Sequence, residues 1–85
     1  MDWLGVQVSI EGQIARRGEA FIPWSEIEDA VTSLHRRYET AALTRALGED
    51  LSAMGMLKHL AEIEGNLEIS VDKAGDMVYL KKPEN

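Results

Sequence analysis

A small α+β domain is the fold class that this sequence predicts, and three patterns predict it. Apolar residues recur at helical spacing from Ile27 to Ala42 and again from Ala53 to Ile63, while Leu67 to Leu80 alternates with the period of two that marks strands. At 85 residues the chain makes one domain, spanning 1–82, with Pro83-Glu84-Asn85 as a loose tail.

The helix of the middle segment is announced by Pro23-Trp24-Ser25-Glu26-Ile27-Glu28. Ser25 reads as the N-cap and Glu28 as the third helical residue, so that each side chain satisfies the other's backbone N–H. Beyond it Ile27, Val31, Leu34, Tyr38, Ala41 and Ala42 share one face. Thr40 can cap a fresh turn, which predicts a break near residues 39–40 and a second short helix stopped by Gly48. A further helix is expected over residues 51–64, capped by Asp50 or Ser52. Ala53, Met54, Leu57, Leu60, Ala61 and Ile63 form its stripe, and Gly65-Asn66 ends it.

The C-terminal segment predicts a β-hairpin. Leu67, Ile69 and Val71 alternate with Glu68, Ser70 and Asp72, and Met77 to Leu80 returns after the turn residues Lys73-Ala74-Gly75-Asp76. A four-residue loop sets Val71 opposite Val78 and Ile69 opposite Leu80, giving a uniformly apolar face.

Residues 1–22 admit two readings. As a helix, Trp3, Val6, Ile10 and Ile14 share a face, Arg16 and Arg17 meet the negative end of the dipole, and Gly18 stops it. As a strand, Leu4, Val6, Val8 and Ile10 alternate, and Gly5 and Gly12 are poor helix residues. The helix is preferred. Ala20-Phe21-Ile22 then forms a short strand before Pro23, whose ring disfavours helix at Ile22.

Element order now carries a resemblance. Ile14 to Ile22 is similar to the first-helix exit and short strand of the winged helix-turn-helix superfamily. Leu57 to Gly65, running into Leu67-Glu68-Ile69, resembles its third helix entering the wing, which would be residues 67–82. The resemblance implies a winged-helix-like fold of three or four helices with a C-terminal β-hairpin. It also implies the superfamily's commonest trade, DNA binding through that third helix.

Charge argues against this trade. The net charge is −6, and residues 46–68 carry Glu49, Asp50, Glu62, Glu64 and Glu68 against Lys58 alone. Duplex DNA rewards cations through counterion release. The third helix offers Lys58 and His59, so a solvated or protein-docking face is the preferred reading. Arg16, Arg17, Arg36, Arg37 and Arg45, with the wing lysines Lys73, Lys81 and Lys82, are the remaining cations for a DNA contact; the alternative is ordinary surface pairing with Glu19, Glu26, Asp29 and Glu39.

Catalytic chemistry has little to stand on. There is no cysteine, and His35 and His59 fall on different expected helices without a ligand at i+3 or i+4. Asp72 and Asp76 lack the alternating acids of a calcium loop. No cofactor is expected. Trp3 and Trp24 read first as core and, where exposed, as anchors for a partner. Met54, Met56 and Met77 read first as core filler and then as adaptable contact surface. No apolar run is long enough for a transmembrane helix, and the absence of cysteine and of a signal peptide points to the cytoplasm.

The expected function is therefore a non-enzymatic module that meets another protein or itself, within an assembly or as a homodimer. Its candidate contact residues are Trp3, Trp24, Arg16, Arg17, Arg36, Arg37, Lys58, His59 and Lys73. The alternative is a DNA-binding regulator using an arginine face or the wing lysines.

Overall fold

Four buried side chains decide the first segment in favour of helix. In the computed structural model, which describes residues 1–84, α1 runs Trp3–Arg17 and buries Trp3, Val6, Ile10 and Ile14. Asp2 caps it by accepting the Gly5 N–H at 2.8 Å. Gly18 ends it in the left-handed region at φ 75°, its N–H bonded to the Ile14 carbonyl. The helix wins because its stripe reaches the core as one set, whereas Leu4 and Val8 of the alternating pattern face outward.

The order continues with β1 (Glu19–Ile22), α2 (Trp24–Arg37), α3 (Thr40–Leu47), α4 (Ala53–Ile63), β2 (Glu68–Asp72) and β3 (Met77–Lys81). This is an α+β arrangement with a three-stranded antiparallel sheet in the order β1-β3-β2. The hairpin has the expected register, Val71 against Val78 and Ile69 against Leu80. Its turn is closed by Asp72, whose carboxylate accepts the Gly75 N–H, and by Asp76 at φ 50°. β1 lies on the other side of β3, pairing Ala20 with Leu80 and Ile22 with Val78. The inward face of the sheet is therefore Ala20, Ile22, Val78 and Leu80, fully covered, with Ile69 and Val71 half-buried on the outer strand. Ile10, Ile14, Ile27, Leu57, Leu60 and Ala61 complete the same cluster from the helices. Burial of this kind is the main favourable term in so small a domain.

The capping expectations need correction. α2 begins at Trp24, behind Pro23, and Ser25 is not its cap. The Ser25 N–H, expected to be met by Glu28 in a local capping box, is taken instead by Asp76 of the hairpin, which also accepts from the Ser25 hydroxyl, because β1 delivers the start of α2 directly beneath the turn. α2 stops at Arg37, and Tyr38 is extended and exposed rather than part of the apolar face. The break before α3 is present, but Glu39 precedes the helix without a side-chain cap and Thr40 is its first residue. At α4 the expectation holds: Ser52 accepts the Gly55 N–H at 3.0 Å, and Asp50 in turn accepts from the Ser52 hydroxyl at 2.6 Å. Ile63, expected in the α4 stripe, is 62% exposed in the last turn. Leu34 packs against the core only in part. Of the expected tail, Pro83 and Glu84 carry no regular structure and Asn85 lies outside the described residues.

Gln13 settles the outer edge of β1. Its amide nitrogen donates to the Phe21 carbonyl and its amide oxygen accepts the Phe21 N–H, both at 3.0 Å. An exposed strand edge templates pairing with another chain, and here a side chain occupies both backbone groups. No helix among the described residues is long and apolar enough to cross a membrane.

Candidate interaction surface

The surface beside α4 is acidic, because Glu49 and Asp50 ahead of the helix add to Glu62 against Lys58. Ser52, Lys58 and Glu62 are exposed and His59 is half-buried. Leu47, Glu49, Asp50, Lys58, His59 and Glu62 line a shallow groove of about 270 Å³ beside the helix. Asp50 is held below the usual carboxylate range, first by the Ser52 hydroxyl and backbone N–H and then by the charge of Lys58. Lys58 thus faces carboxylates within its own groove, which leaves little cationic field to offer a phosphate.

The arginines divide among three helix ends, with Arg45 in the last turn of α3. Arg16 and Arg17 close α1. Arg36 and Arg37 close α2, where Arg37 lines a depression with Asp2, Trp3 and Leu4 at the opposite end of α1. α1, 15 residues and about 20 Å long, thus has Arg16 and Arg17 at one end and Arg37 beside the other. The lysines of the hairpin divide too. Lys73 at the turn stacks on Trp24, 5.5 Å from the ring centre, while Lys81 reaches Glu84 at 3.5 Å near the other end. Lys82, whose N–H bonds the Gly18 carbonyl at 3.1 Å, lies beside the Arg16–Arg17 end of α1, away from Arg37 and Lys73.

Trp3 and Trp24 are buried at 6% and 8% exposure, so neither stands out as an anchor for a partner. The indole N–H of Trp3 is enclosed without an acceptor. Beside it an apolar depression of about 290 Å³ runs between Trp3, Leu34, Tyr38, Leu43 and Leu47, beneath α3. Met56 is likewise buried, and Met54 and Met77 are half-buried. His35 donates its Nε2–H to the Leu51 carbonyl at 2.8 Å, which ties α2 to the loop before α4. Among the described residues no group of histidines and carboxylates is placed to hold a metal ion.

Two features escaped the sequence reading. On the outer face of the sheet Phe21 and Tyr79 pack edge to face at 5.3 Å, with the Arg17 guanidinium 5.9 Å from the Phe21 ring. On α1, Leu4 and Val8 stand 67% and 60% exposed, four residues apart and therefore one above the other. The signal for the second was present: Leu4 and Val8 were the two members of the alternating pattern that the helical stripe left over. Comparison with known proteins finds no matching family model, no similar curated protein and no similar solved structure.

Proposed function

We propose that this protein is a winged-helix-like interaction module that works by contact with another protein chain, without catalysis. The observation that carries this reading is the apolar outer face of α1, where Leu4 and Val8 lie exposed on a rigid, well-capped helix. Side chains of this size, stacked on one helix face, gain by leaving water together. In the winged-helix reading α4 takes the place of the third helix and β2–β3 that of the wing.

Charge supports a protein partner over duplex DNA. Lys58 shares its groove with Glu49, Asp50 and Glu62, and the arginines stand at three helix ends. Each phosphate contact needs a cation, and nonspecific affinity follows their number. The test is a titration of labelled random duplex at two salt concentrations with wild type, Lys58→Ala and Arg36→Ala/Arg37→Ala. Binding no tighter than about 10⁻⁴ M at physiological salt is expected. Tight, salt-dependent binding lost with Lys58→Ala would restore α4 as a recognition helix. Loss with the arginine pair instead would support the DNA-binding alternative.

A further inference from the structure

We propose that the partner of this face is a second copy of the chain, its α1 packed antiparallel against the first about a two-fold axis at Val8. This rests on the interaction-module reading and names the partner for it. With Trp3, Val6, Ile10 and Ile14 turned inward, helical geometry turns Leu4, Val8, Gly12 and Ala15 outward. Val8 at the centre of an antiparallel pair meets its own symmetry mate. Leu4 then lies opposite Gly12 of the second copy, and the same contact recurs on the other side of the axis.

Gly12 is the second observation. Glycine weakens a helix interior, and nothing inside this chain demands one at this position: a Cβ added there would meet only the Arg16 guanidinium tip, at 3.4 Å. A missing side chain covered only by the movable tip of Arg16 suits the close approach of another backbone, with Leu4 of the second copy filling the gap.

The charges select the antiparallel sense. Asp2 caps the start of α1, and Arg16 and Arg17 occupy its last turn. Antiparallel packing sets acid against base at both ends and opposes the two helix dipoles, whereas parallel packing sets like against like. Competing occupants fit less well. Glu11 borders the strip, and its carboxyl meets that of Glu64, which disfavours an anionic lipid surface that would need cations there. Edge-to-edge pairing of sheets is closed at β1 by Gln13, and at β2 it would set Glu68 and Asp72 of two copies near one another.

Sedimentation velocity on the full chain tests this directly, comparing wild type with Val8→Glu and Gly12→Leu. Wild type is expected to dimerise. Both variants are expected to raise the dissociation constant at least about tenfold, Val8→Glu by placing two carboxylates at the axis and Gly12→Leu by filling the gap. Gly12→Leu should fold normally, since its added side chain need displace only the tip of Arg16, and its circular dichroism and melting are recorded alongside. Because the chain has no cysteine, Val8→Cys supplies an independent arm. Copper-phenanthroline oxidation should link it into a covalent dimer far faster than Glu28→Cys on the exposed side of α2. A wild-type chain that stays monomeric up to about 1 mM, or a dimer untouched by both variants with equal cross-linking at the two cysteines, overturns the proposal. A monomer that also ignores DNA leaves the interaction-module reading standing with a different partner. Tight DNA binding removes that reading whatever the oligomeric state.

Discussion

The carboxylate of Asp76 accepts two hydrogen bonds from Ser25, one from its backbone N–H and one from its hydroxyl, both at 2.7 Å and across 51 residues of chain. A hairpin turn thereby caps a helix that has no cap of its own, since Pro23 at the N-cap position offers no side-chain acceptor. The Trp24 N–H, bonded to the Asp76 carbonyl at 3.3 Å, adds a third tie.

The first prediction follows from this tie. Asp76→Ala should destabilise the fold by about 1–2 kcal/mol through the lost cap, with some further loss because alanine dislikes the left-handed conformation. Asp76→Gly tolerates that conformation while removing the carboxylate, so it isolates the capping share. Urea melts of Asp76→Ala, Ser25→Ala and the double variant should reveal a coupling of at least about 0.5 kcal/mol. Strict additivity would mean that the two bonds contribute nothing to stability.

Much of this architecture was legible in the sequence because its causes are local. The hairpin register is set by alternation plus loop length, and the α4 start by Ser52 three residues before Gly55. The α1 core is set by four apolar residues at helical spacing. What escaped depends on contacts between distant segments. Ser25 looked like a local cap because Asp76 cannot be placed beside it until β1 is known to pair with β3. Tyr38 and Ile63 fit the helical period, yet they sit at or beyond helix ends where the face no longer meets the core. The candidate surface was legible in part: with α1 helical, Leu4 and Val8 are the apolar residues that its core stripe leaves over and turns outward.

Two glycine substitutions should move stability in opposite directions. Gly12→Ala, measured at concentrations where the chain is monomeric, should stabilise by about 0.5–1 kcal/mol, the usual gain in helix propensity. Gly55→Ala should destabilise by about 1–3 kcal/mol, as overpacking commonly does. A Cβ at Gly55 would run into the Asp50 carboxylate, which cannot swing clear without surrendering its bonds from the Ser52 hydroxyl and N–H. Thermal melts of the two variants check both signs. If Gly55→Ala melts at or above wild type, Asp50 is not held as described.

Acidity enters through Glu64. Its carboxyl is raised above the ordinary glutamate value, chiefly by burial, then by sharing a hydrogen bond with Glu11 and by the repulsion of that neighbour. The folded state therefore holds a proton that the unfolded chain has already released. Between the ordinary glutamate pKa and the raised one, the native state binds more protons, so this group's contribution to stability falls as pH rises. Above the raised value the loss is complete. Glu64→Gln should accordingly gain stability at neutral pH, gain little at pH 3, and flatten the slope between. Denaturant midpoints for both proteins across pH 3–8 provide the comparison, and an unchanged difference across that range would remove the pair from the account.

The last prediction concerns Gln13, whose amide uses its whole hydrogen-bonding capacity. Its nitrogen donates to the Phe21 carbonyl at 3.0 Å and the Ser9 hydroxyl at 3.1 Å. Its oxygen accepts from the Phe21 N–H at 3.0 Å and from an Arg17 guanidinium nitrogen at 3.1 Å. The four partners fix which way the amide points, since exchanging its oxygen and nitrogen would leave Phe21 and Arg17 facing the wrong groups. They also hold the Arg17 guanidinium near the Phe21 ring, 5.9 Å from its centre. Gln13→Leu keeps a residue that suits α1 but strips both bonds from the strand edge. The expected loss is about 1–2 kcal/mol, modest because water can reach the freed groups. The Phe21 N–H should then exchange with solvent much faster, and heated samples should aggregate sooner through the opened edge of β1. Gln13→Glu should fall between the two, because a carboxylate can still accept the Phe21 N–H and pair with Arg17 but cannot donate to the Phe21 carbonyl. Hydrogen exchange read at the single Phe21 amide decides the matter: equal rates in wild type and Gln13→Leu would mean that the edge is open already, and edge-to-edge pairing at β1 would again be available to two copies of the chain.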